Sequence, residues 1–395
     1  MPLLALILLD DYNQEALNRG FQTAFAELNL AGCFQPAEKI LIKPNLLSAV
    51  APDKAATPHP AVFEALAGCL KNLGLNLSYG DSPALDSMEH AARVTGLAAV
   101  AKKLAICPAD FSSHVETPLP EGKALHSLPL ACGVAEADGL VSLAKLKTHA
   151  LTGMTGVIKN LFGVIPGQRK ATYHARYPNI RYFCQMLADI THFLQPRLCV
   201  CDGIVAMEGN GPRNGRPRQL GVILLSTDPV AVDAAGAFLI GIEPDSLPLL
   251  KVAARSGLGE INLSQIDACV IRVLPESAEI NRGPARKLLA GLQVRDFVQS
   301  KTVRAIMGAA ISMLVPPLYK NHIQRRPAIS AERCTRCGIC TKACPVKPAA
   351  VFQKECGMLP EFDYECCIRC FCCQEVCPVG AIEVRKTTIG RLIGT

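Results

Sequence analysis

Residues 334–345 read Cys-Thr-Arg-Cys-Gly-Ile-Cys-Thr-Lys-Ala-Cys-Pro, and residues 367–378 repeat the pattern as Cys-Ile-Arg-Cys-Phe-Cys-Cys-Gln-Glu-Val-Cys-Pro. Both runs have the spacing C-x2-C-x2-C-x3-C-P, in which three thiolates bind one iron–sulfur cubane and the fourth reaches the other cubane. The spacing therefore predicts two [4Fe–4S] clusters. The first would be held by Cys334, Cys337, Cys340 and Cys377, and the second by Cys367, Cys370, Cys373 and Cys344.

A pair of zinc sites is the alternative for these cysteines. Zinc favours two C-x2-C pairs separated by a longer loop, with four ligands in all. Two complete four-cysteine runs, each ending in Cys-Pro, fit that pattern poorly. Three extra cysteines of the module are predicted to be spectators: Cys356, Cys366 and Cys372. The other eight lie mostly in apolar segments, where free cysteine behaves as a small buried hydrophobe.

The chain before this module is long enough for a larger domain. The protein has 395 residues, half of them apolar, so a substantial core can be buried. Short apolar runs alternate with helical patterns, which predicts an α/β domain with a largely parallel sheet. Predicted strands include Gly139–Leu143 and Leu198–Cys201, and predicted helices include Pro60–Leu73 and Pro229–Ile240. We expect the α/β domain at 1–281, a basic helical connector at 282–328, and a small α+β ferredoxin-like two-cluster domain at 329–395.

The connector concentrates the positive charge of the chain. It holds nine Lys and Arg residues against Asp296 alone, while the whole protein carries a net charge of only +7. Two helices are predicted in it, Leu288–Val298 and Thr302–Leu314. They either pack between the two domains or let residues 285–320 contact an anionic membrane surface. The mild overall charge does not indicate nucleic acid. The start of the chain lacks a basic segment typical of secretion signals, so a reducing cytoplasm is expected.

Many polar residues come just after predicted strands, where open α/β sheets bind their ligands. The candidate catalytic residues are Lys43, Asn45, Asp81, Lys145, Lys147, His149, Lys159, Asn160, Asp202, Glu208, Asp228 and Asp233. The lysines and the histidine suit a carboxylate or phosphate ligand. A lysine among other cations can also have a lowered pKa and act as base or nucleophile. The acids could pair with the lysines, transfer protons or bind a metal.

Structural roles remain open for several of these residues. Asp81 and Asp228 precede turn or helix signals and could be caps, and Asp233 could be a buried partner of a lysine. A single histidine such as His149 is often structural. Arg169, Lys170 and His174 are expected to extend the site. Residues 209–215 are rich in glycine but lack dinucleotide-loop spacing, which favours a flexible or substrate-covering loop.

Five motifs resemble the family called domain of unknown function 362, which is often fused to a ferredoxin module. They are Lys43-Pro-Asn45, Lys147-Thr-His149, Lys159-Asn-Leu-Phe-Gly163, Glu208-Gly-Asn-Gly-Pro212 and Asp228-Pro-Val-Ala-Val-Asp233. The resemblance implies no settled reaction. The cysteine module resembles bacterial two-cluster ferredoxins. Residues Thr152–Gly167 are faintly similar to the N-terminal domain of nickel-pincer lactate racemases, which hints at fold and anion binding.

Taken together, these features predict a cytoplasmic iron–sulfur oxidoreductase. Its two clusters would pass electrons to or from an anionic small molecule in the α/β domain. A redox protein partner is expected as well. Two alternatives stay open: an electron-transfer partner that docks another protein without catalysis, and a non-redox isomerase or lyase with structural or sensing clusters.

Overall fold

The computed structural model of the protein describes residues 3–167, 169–299 and 324–387. The strands are β1 (Leu3–Leu8), β2 (Lys39–Pro44), β3 (Asn76–Tyr79), β4 (Cys107–Pro108), β5 (His114–Pro118), β6 (Ser127–Ala131), β7 (Gly139–His149), β8 (Gly153–Thr155), β9 (Leu198–Glu208), β10 (Arg216–Ser226), β11 (Asp267–Val273), β12 (Ala278–Pro284), β13 (Arg326–Ile329), β14 (Val351–Phe352), β15 (Glu361–Phe362) and β16 (Ile382–Arg385). The helices are α1 (Gln14–Glu27), α2 (Pro60–Asn72), α3 (Met88–Val94), α4 (Leu97–Lys103), α5 (Cys132–Ala135), α6 (Val157–Asn160), α7 (Arg169–Arg176), α8 (Ile180–Leu194), α9 (Pro229–Leu239), α10 (Pro248–Arg255), α11 (Ala285–Ala290), α12 (Ile339–Lys342) and α13 (Cys372–Glu375).

One sheet organises the larger domain. Its strands follow the order β12-β11-β1-β10-β9-β7-β2-β3-β4, and β8 pairs with β7 off this path. Strands β4, β3, β2, β7 and β9 run parallel, as do β1 and β11, while β8, β10 and β12 pair antiparallel to their neighbours. The predicted α/β class with a largely parallel sheet is confirmed.

Helices cover both faces of this sheet, so its inner strands are largely buried. Helices α1, α2, α3 and α4 pack on one face, and α6, α8, α9 and α10 pack on the other. Burial on both sides explains why strands such as β1 read as continuous apolar runs. Local signals begin the helices: at α9 the Asp228 side chain accepts from the Val230 and Ala231 N–H groups and Pro229 occupies the first turn.

Two central strands are longer than predicted. The predicted strand Gly139–Leu143 continues as β7 to His149, and Leu198–Cys201 continues as β9 to Glu208. Cross-strand pairing accounts for both extensions: Lys145 lies in register with Asp202, the end of β7 pairs with β8, and the end of β9 pairs with β10. Polar residues that we expected in loops after strands therefore lie within the strands.

The predicted connector is largely part of the α/β domain as far as residue 299. The boundary expected at residue 281 lies inside β12, which pairs along its length with β11. The predicted helix Leu288–Val298 is instead α11, which begins at Ala285 and ends before Gly291. The predicted helix Thr302–Leu314 lies outside the described residues. Among the described helices, none is both long and apolar enough to cross a membrane.

The cysteine module repeats its backbone as well as its sequence. Strand β13 pairs with β16, and β14 pairs with β15. The short helices α12 and α13 begin 33 residues apart, as the cysteine runs do. Left-handed φ angles recur at the same interval, at Arg336 (59°) and Arg369 (61°) and at Gly338 (72°) and Phe371 (62°). The two halves therefore form the same tight cysteine loop.

Candidate functional site

A buried ion pair joins strand β2 to the loop after strand β3. The Lys43 ammonium donates to Asp81 Oδ1 at 2.6 Å and to Asn160 Oδ1 at 3.1 Å. The Asn160 amide donates to the Lys43 carbonyl and to the Ser142 hydroxyl, both at 3.0 Å. Burial lowers the pKa of Lys43, although Asp81 acts in the opposite direction. Because both charges have partners, this pair ties strand ends together and leaves no free cation.

At two glycines in this region the backbone lies very close to a carboxylate. A Cβ atom at Gly163 would lie 1.9 Å from Asp81 Oδ1 and 2.6 Å from Lys43 Nζ. A Cβ atom at Gly156 would lie 2.0 Å from Asp233 Oδ1. Both distances are far below van der Waals contact, so the backbone can approach these carboxylates only where no side chain is present.

Lys147 is buried beside neutral partners. Its ammonium donates to Asn45 Oδ1 at 2.6 Å and to the Ala56 carbonyl, and no ion pair to it occurs in the described parts of the chain. Burial, followed by the charge of Lys159, lowers the pKa of Lys147 to about 7. Lys147 is thus partly uncharged near neutral pH, as a general base or a nucleophilic amine must be.

Lys159 on helix α6 lies at the centre of a set of cations. It is half-buried, and its side chain has no hydrogen bond or ion pair to residues 3–167, 169–299 or 324–387. Its charge contributes to the lowered pKa of each of its cationic neighbours. We call this set the cationic cluster: Lys43, Lys147, His149, Lys159, Lys170 and His174. A lysine that has no partner among the described residues and lies among other cations is suited to binding an anion.

Lys170 closes one side of the cationic cluster. Its ammonium donates to the Ser82 carbonyl at 2.6 Å and to the Ser82 hydroxyl at 2.8 Å. Burial lowers the pKa of Lys170 to about 7, and Asp81 opposes that change. Like Lys147, it is a lysine whose nearest partners are neutral oxygens.

His149 faces the cysteine module. Its Nδ1 atom accepts from the Leu151 and Thr152 N–H groups, which assigns the proton to Nε2. That Nε2 atom lies 2.9 Å from Glu375 Oε1, although the two are not aligned as a hydrogen bond. Burial and then Lys159 lower the pKa of His149 to about 4. Burial alone would raise the pKa of Glu375, but His149 and Lys159 bring it down to about 2. At neutral pH the contact therefore joins a neutral imidazole to a carboxylate.

Several buried polar atoms of the cationic cluster, of strand β8 and of helix α13 have no hydrogen-bond partner within the described residues. They are Thr155 Oγ1, His149 Nε2, His174 Nδ1, Gln374 Oε1 and Glu375 Oε1. Thr155 lies opposite Lys147 in the pairing of β8 with β7, and the His174 ring stacks on Phe183 at 4.6 Å. Burial lowers the pKa of His174 to about 3, so its ring is neutral. Buried polar atoms are rarely left unpaired, and such a group of them marks a place for a ligand or ordered water.

A second buried network lies beside the first. Lys145 donates to Asp202 Oδ2 at 2.8 Å and to the Tyr12 hydroxyl at 2.9 Å, and that hydroxyl donates to Asp202 Oδ1 at 3.1 Å. The His59 N–H also donates to Asp202, and its ring stacks on Tyr12 at 3.8 Å. Sequence analysis missed Tyr12 and His59, because neither belongs to a motif and both come close only in the folded chain.

Three of the predicted acids bind backbone N–H groups. Glu208 accepts from the Val298 N–H at 2.9 Å, and Asp228 caps helix α9. Asp233 accepts from the first N–H groups of α6, and burial raises its pKa to about 7. Their carboxylates position structural elements, a role that the sequence had left open for Asp228.

The loop that follows β9 receives the cysteine module. Gln374 Nε2 donates to Asn210 Oδ1 at 2.6 Å, and Asn214 Nδ2 donates to the Cys377 carbonyl at 3.0 Å. The Thr148 hydroxyl holds the loop by donating to the Gly209 carbonyl. We had expected this loop to be flexible or to cover a substrate. Its polar groups instead bind the module, which brings the cysteines beside the cationic cluster.

Phe371 is the apolar anchor of the same interface. Its ring is buried against Ala150, the residue after His149, and against Val384 of the module. Phe371 takes a left-handed φ of 62° to reach this position. Such a conformation is unfavourable for a bulky side chain, so packing at the interface must offset its cost.

The predicted cluster ligands surround two hollows. The first hollow is lined by Cys334, Cys337, Cys340 and Cys377. The second hollow is lined by Cys344, Cys367, Cys370 and Cys373. In the described residues, no three His, Cys, Asp or Glu side chains converge on a single-ion site. Four thiols lining each hollow are a donor set that fits a [4Fe–4S] cubane.

Sequence reasoning located most of the cationic cluster and missed its acidic partner. Hydrogen bonds join Lys43 to Asp81 and Asn160, and Lys147 to Asn45. The catalytic roles of these residues stay predictions. Glu375 lies inside the second cysteine run. The spacing of that run predicts cluster ligands and carries no signal for a contact between Glu375 and the α/β domain.

Two family comparisons match the chain. Residues 40–238 match the family described as a domain of unknown function, DUF362. Residues 325–346 match a 4Fe-4S binding domain, which contains the first cysteine run. The first cysteine run thus belongs to an iron–sulfur binding sequence.

Individual proteins resemble the chain to different degrees. The thylakoid-associated protein sll1697 of Synechocystis sp. is 31% identical over 257 residues, which cover 65% of this chain and 79% of that protein. The lactate racemase apoprotein of Thermoanaerobacterium thermosaccharolyticum is 13% identical, with a TM-score of 0.38 over 59% of this chain and 55% of its own. A structural-genomics protein of Thermotoga maritima is 11% identical, with a TM-score of 0.27 over 71% and 58%. Neither structural likeness is close enough to carry an inference about activity.

Proposed function

The chain belongs to the DUF362 family and carries a 4Fe-4S binding domain, and from this premise we propose an iron–sulfur oxidoreductase that acts on a bound anion. Two [4Fe–4S] clusters, one in each hollow, would supply one-electron transfer. The cationic cluster would bind the anion. The proposal includes the ligand assignment given by the two hollows, with the last cysteine of each run serving the opposite cluster.

One observation carries this proposal: the cysteine loop of the second hollow touches the cationic cluster directly. Glu375 follows Cys373 by two residues, and its carboxylate lies 2.9 Å from His149 Nε2. Phe371 lines the second hollow and packs on Ala150. Electron transfer requires close approach of donor and acceptor, and no other described element separates the two regions at this contact.

The side chains of the cationic cluster account for binding. Within the described residues Lys159 offers an ammonium without a partner, and His149 presents an N–H beside it in the cationic cluster. Lys147 and Lys170 each have a pKa of about 7, so an arriving anion would favour their charged forms. The partly uncharged amine of Lys147 could also accept a proton from the bound molecule.

Lys159→Met tests the proposal in the anaerobically purified protein. Acetate and inorganic phosphate are titrated while the midpoint potentials of the iron–sulfur signals are followed by electron paramagnetic resonance. We expect an anion to shift the potential of one signal more than the other in the wild-type protein, and the shift to disappear in Lys159→Met. If neither anion shifts a midpoint potential in the wild-type protein, an electron-transfer protein without its own catalysis would be favoured.

Partners and location remain predictions. A redox protein is expected to exchange electrons with the module, and a cytoplasmic location is expected from the abundance of thiols. Peripheral membrane contact through residues 285–320 stays a prediction, and in the described part of that range Arg286 pairs with Glu243 at 2.9 Å. The neighbouring Arg282 likewise pairs with Glu27.

A further inference from the structure

Glu375 is a protein carboxylate placed among cations. Its Oε1 atom lies 2.9 Å from His149 Nε2 and accepts no hydrogen bond from the described residues. Lys159 and His174 are near enough to influence its charge. The groups that would recognise an anion are therefore already arranged around one, and it belongs to the loop of the second hollow.

The repeat shows that the cysteine loop does not require this carboxylate. The position 33 residues earlier, in the same turn of helix α12, is Lys342, which is exposed. The two helices have the same length and start at the same point of the repeat. Glu375 is thus explained by what it faces in the α/β domain and not by the geometry of the thiols.

We propose that Glu375 occupies the place of a ligand carboxylate, and that a small carboxylate binds by displacing it from His149. The inference rests on the proposed anion site and specifies its ligand class. The Thr155 hydroxyl and the His149 N–H, which have no aligned partner, would bind the incoming oxygen atoms. Because Glu375 belongs to the module, ligand binding and the position of the cysteine loop are coupled.

Glu375→Gln tests this competition in the intact iron-loaded protein. Acetate is titrated by calorimetry into the wild-type protein, into Glu375→Gln, and into the matched control Glu355→Gln, which removes an exposed charge from the same module. A tethered carboxylate competes at a high effective concentration, so its removal should tighten acetate binding about tenfold. The control should leave acetate affinity unchanged. Equal or weaker binding by Glu375→Gln, with its iron content intact, would overturn the proposal.

The outcomes separate this inference from the proposed function. If acetate binds neither the wild-type protein nor Glu375→Gln, both the anion site and the displacement fail. If acetate binds, and Lys159→Met abolishes binding while Glu375→Gln does not alter it, only the displacement fails.

A measurement on the wild-type protein keeps the proposal testable if Glu375→Gln loses iron. Hydrogen exchange is recorded with and without saturating acetate. Displacement of Glu375 should speed amide exchange across residues 371–377 and leave the equivalent residues 338–344 unchanged. Identical exchange rates in residues 371–377 under both conditions would contradict the proposal.

Discussion

The two halves of the cysteine module have the same backbone and different surroundings. Arg336 and Arg369 share a left-handed φ, and helices α12 and α13 start 33 residues apart. Only the second half presents Gln374 and Glu375 to the α/β domain. In the first half Cys337 is exposed, whereas Phe371 of the second half packs on Ala150 of the other domain. The cysteine spacing and the docking contacts therefore depend on different residues, because the side chains that dock lie at positions between the cysteines.

The largest expected effect is the loss of one cluster when the cysteine that each run contributes to the opposite hollow is replaced. Cys377→Ser removes a thiol that lines the first hollow although it belongs to the second run. We expect it to remove the first cluster and leave the second, so that iron falls from about eight to about four per chain. Cys344→Ser should do the reverse. Iron and sulfide analysis with paramagnetic resonance checks both variants.

These two variants also test the crossed assignment. If each run held its own cluster, Cys377→Ser would remove the signal of the second cluster and Cys344→Ser that of the first. Cys356→Ser is the matched control, because this exposed cysteine lines neither hollow and its loss should not change the iron content.

The surface that receives the second half should make stability depend on pH. Burial lowers the pKa of Lys147 from 10.5 to about 7, so the unfolded chain binds more protons between these values. The free energy of unfolding should therefore rise as pH increases from about 7 towards 10.5, with Lys147 contributing about 4 kcal/mol. Urea unfolding across this range measures the slope, and Lys147→Met should remove the part due to Lys147, while Lys170, whose pKa is also lowered to about 7, retains its own part. A slope as steep in Lys147→Met as in the wild-type protein would contradict the contribution of Lys147.

Phe371 and Gly338 occupy equivalent positions of the repeat, so substitutions at the two sites can be compared directly. Phe371→Gly loses a buried ring, a cost of about 3–5 kcal/mol, but relieves about 1–2 kcal/mol of left-handed strain. We expect a net loss of about 2 kcal/mol in the unfolding free energy of the module, followed by cluster absorbance in urea.

Gly338→Ala provides the counterpart in the first half. A Cβ atom there would lie 2.7 Å from Gln353 Oε1, at a φ of 72°. Since that side chain can move, the cost should be about 1 kcal/mol. A Phe371→Gly variant as stable as the wild-type protein would show that the ring does not anchor the interface.

The smallest expected effect concerns Gln374 and its equivalent Thr341. Gln374→Ala removes the hydrogen bonds to Asn210 and to the Gly211 carbonyl. The loss should weaken docking by about 1 kcal/mol, seen as faster hydrogen exchange in the loop after β9. Thr341→Ala should leave that loop unchanged. Equal rates of hydrogen exchange in this loop in the two variants would show that Gln374 does not contribute to docking.

The sequence predicted the sheet and most of the cationic cluster for clear physical reasons. Apolar runs such as Leu3–Leu8 can be buried only in a sheet covered on both faces, and Pro229 and Asp228 mark a helix start locally. Lys43 and Asp81 could be placed together because parallel strands end at one edge. These features depend on neighbours in sequence or on the general form of α/β sheets.

What could not be predicted depends on contacts between distant segments. Strand β7 continues through Lys145 because Asp202 lies beside it, and the two residues are 57 positions apart. Glu375 reaches His149 only because the module docks in one orientation. No periodicity or spacing reports such an orientation, since it is set by side-chain contacts across the interface.

Gly156 and Gly163 bear on how this chain can vary. Each approaches a carboxylate oxygen within about 2 Å of where a side chain would begin. A library randomised at both positions should return glycine almost alone among stable clones, whereas the intervening Ile158 need only stay apolar. The segment carrying Lys159 therefore has no room for a side chain at either of its ends, Gly156 and Gly163. Selection for altered ligands would have to act elsewhere in the cationic cluster, where side chains can be exchanged.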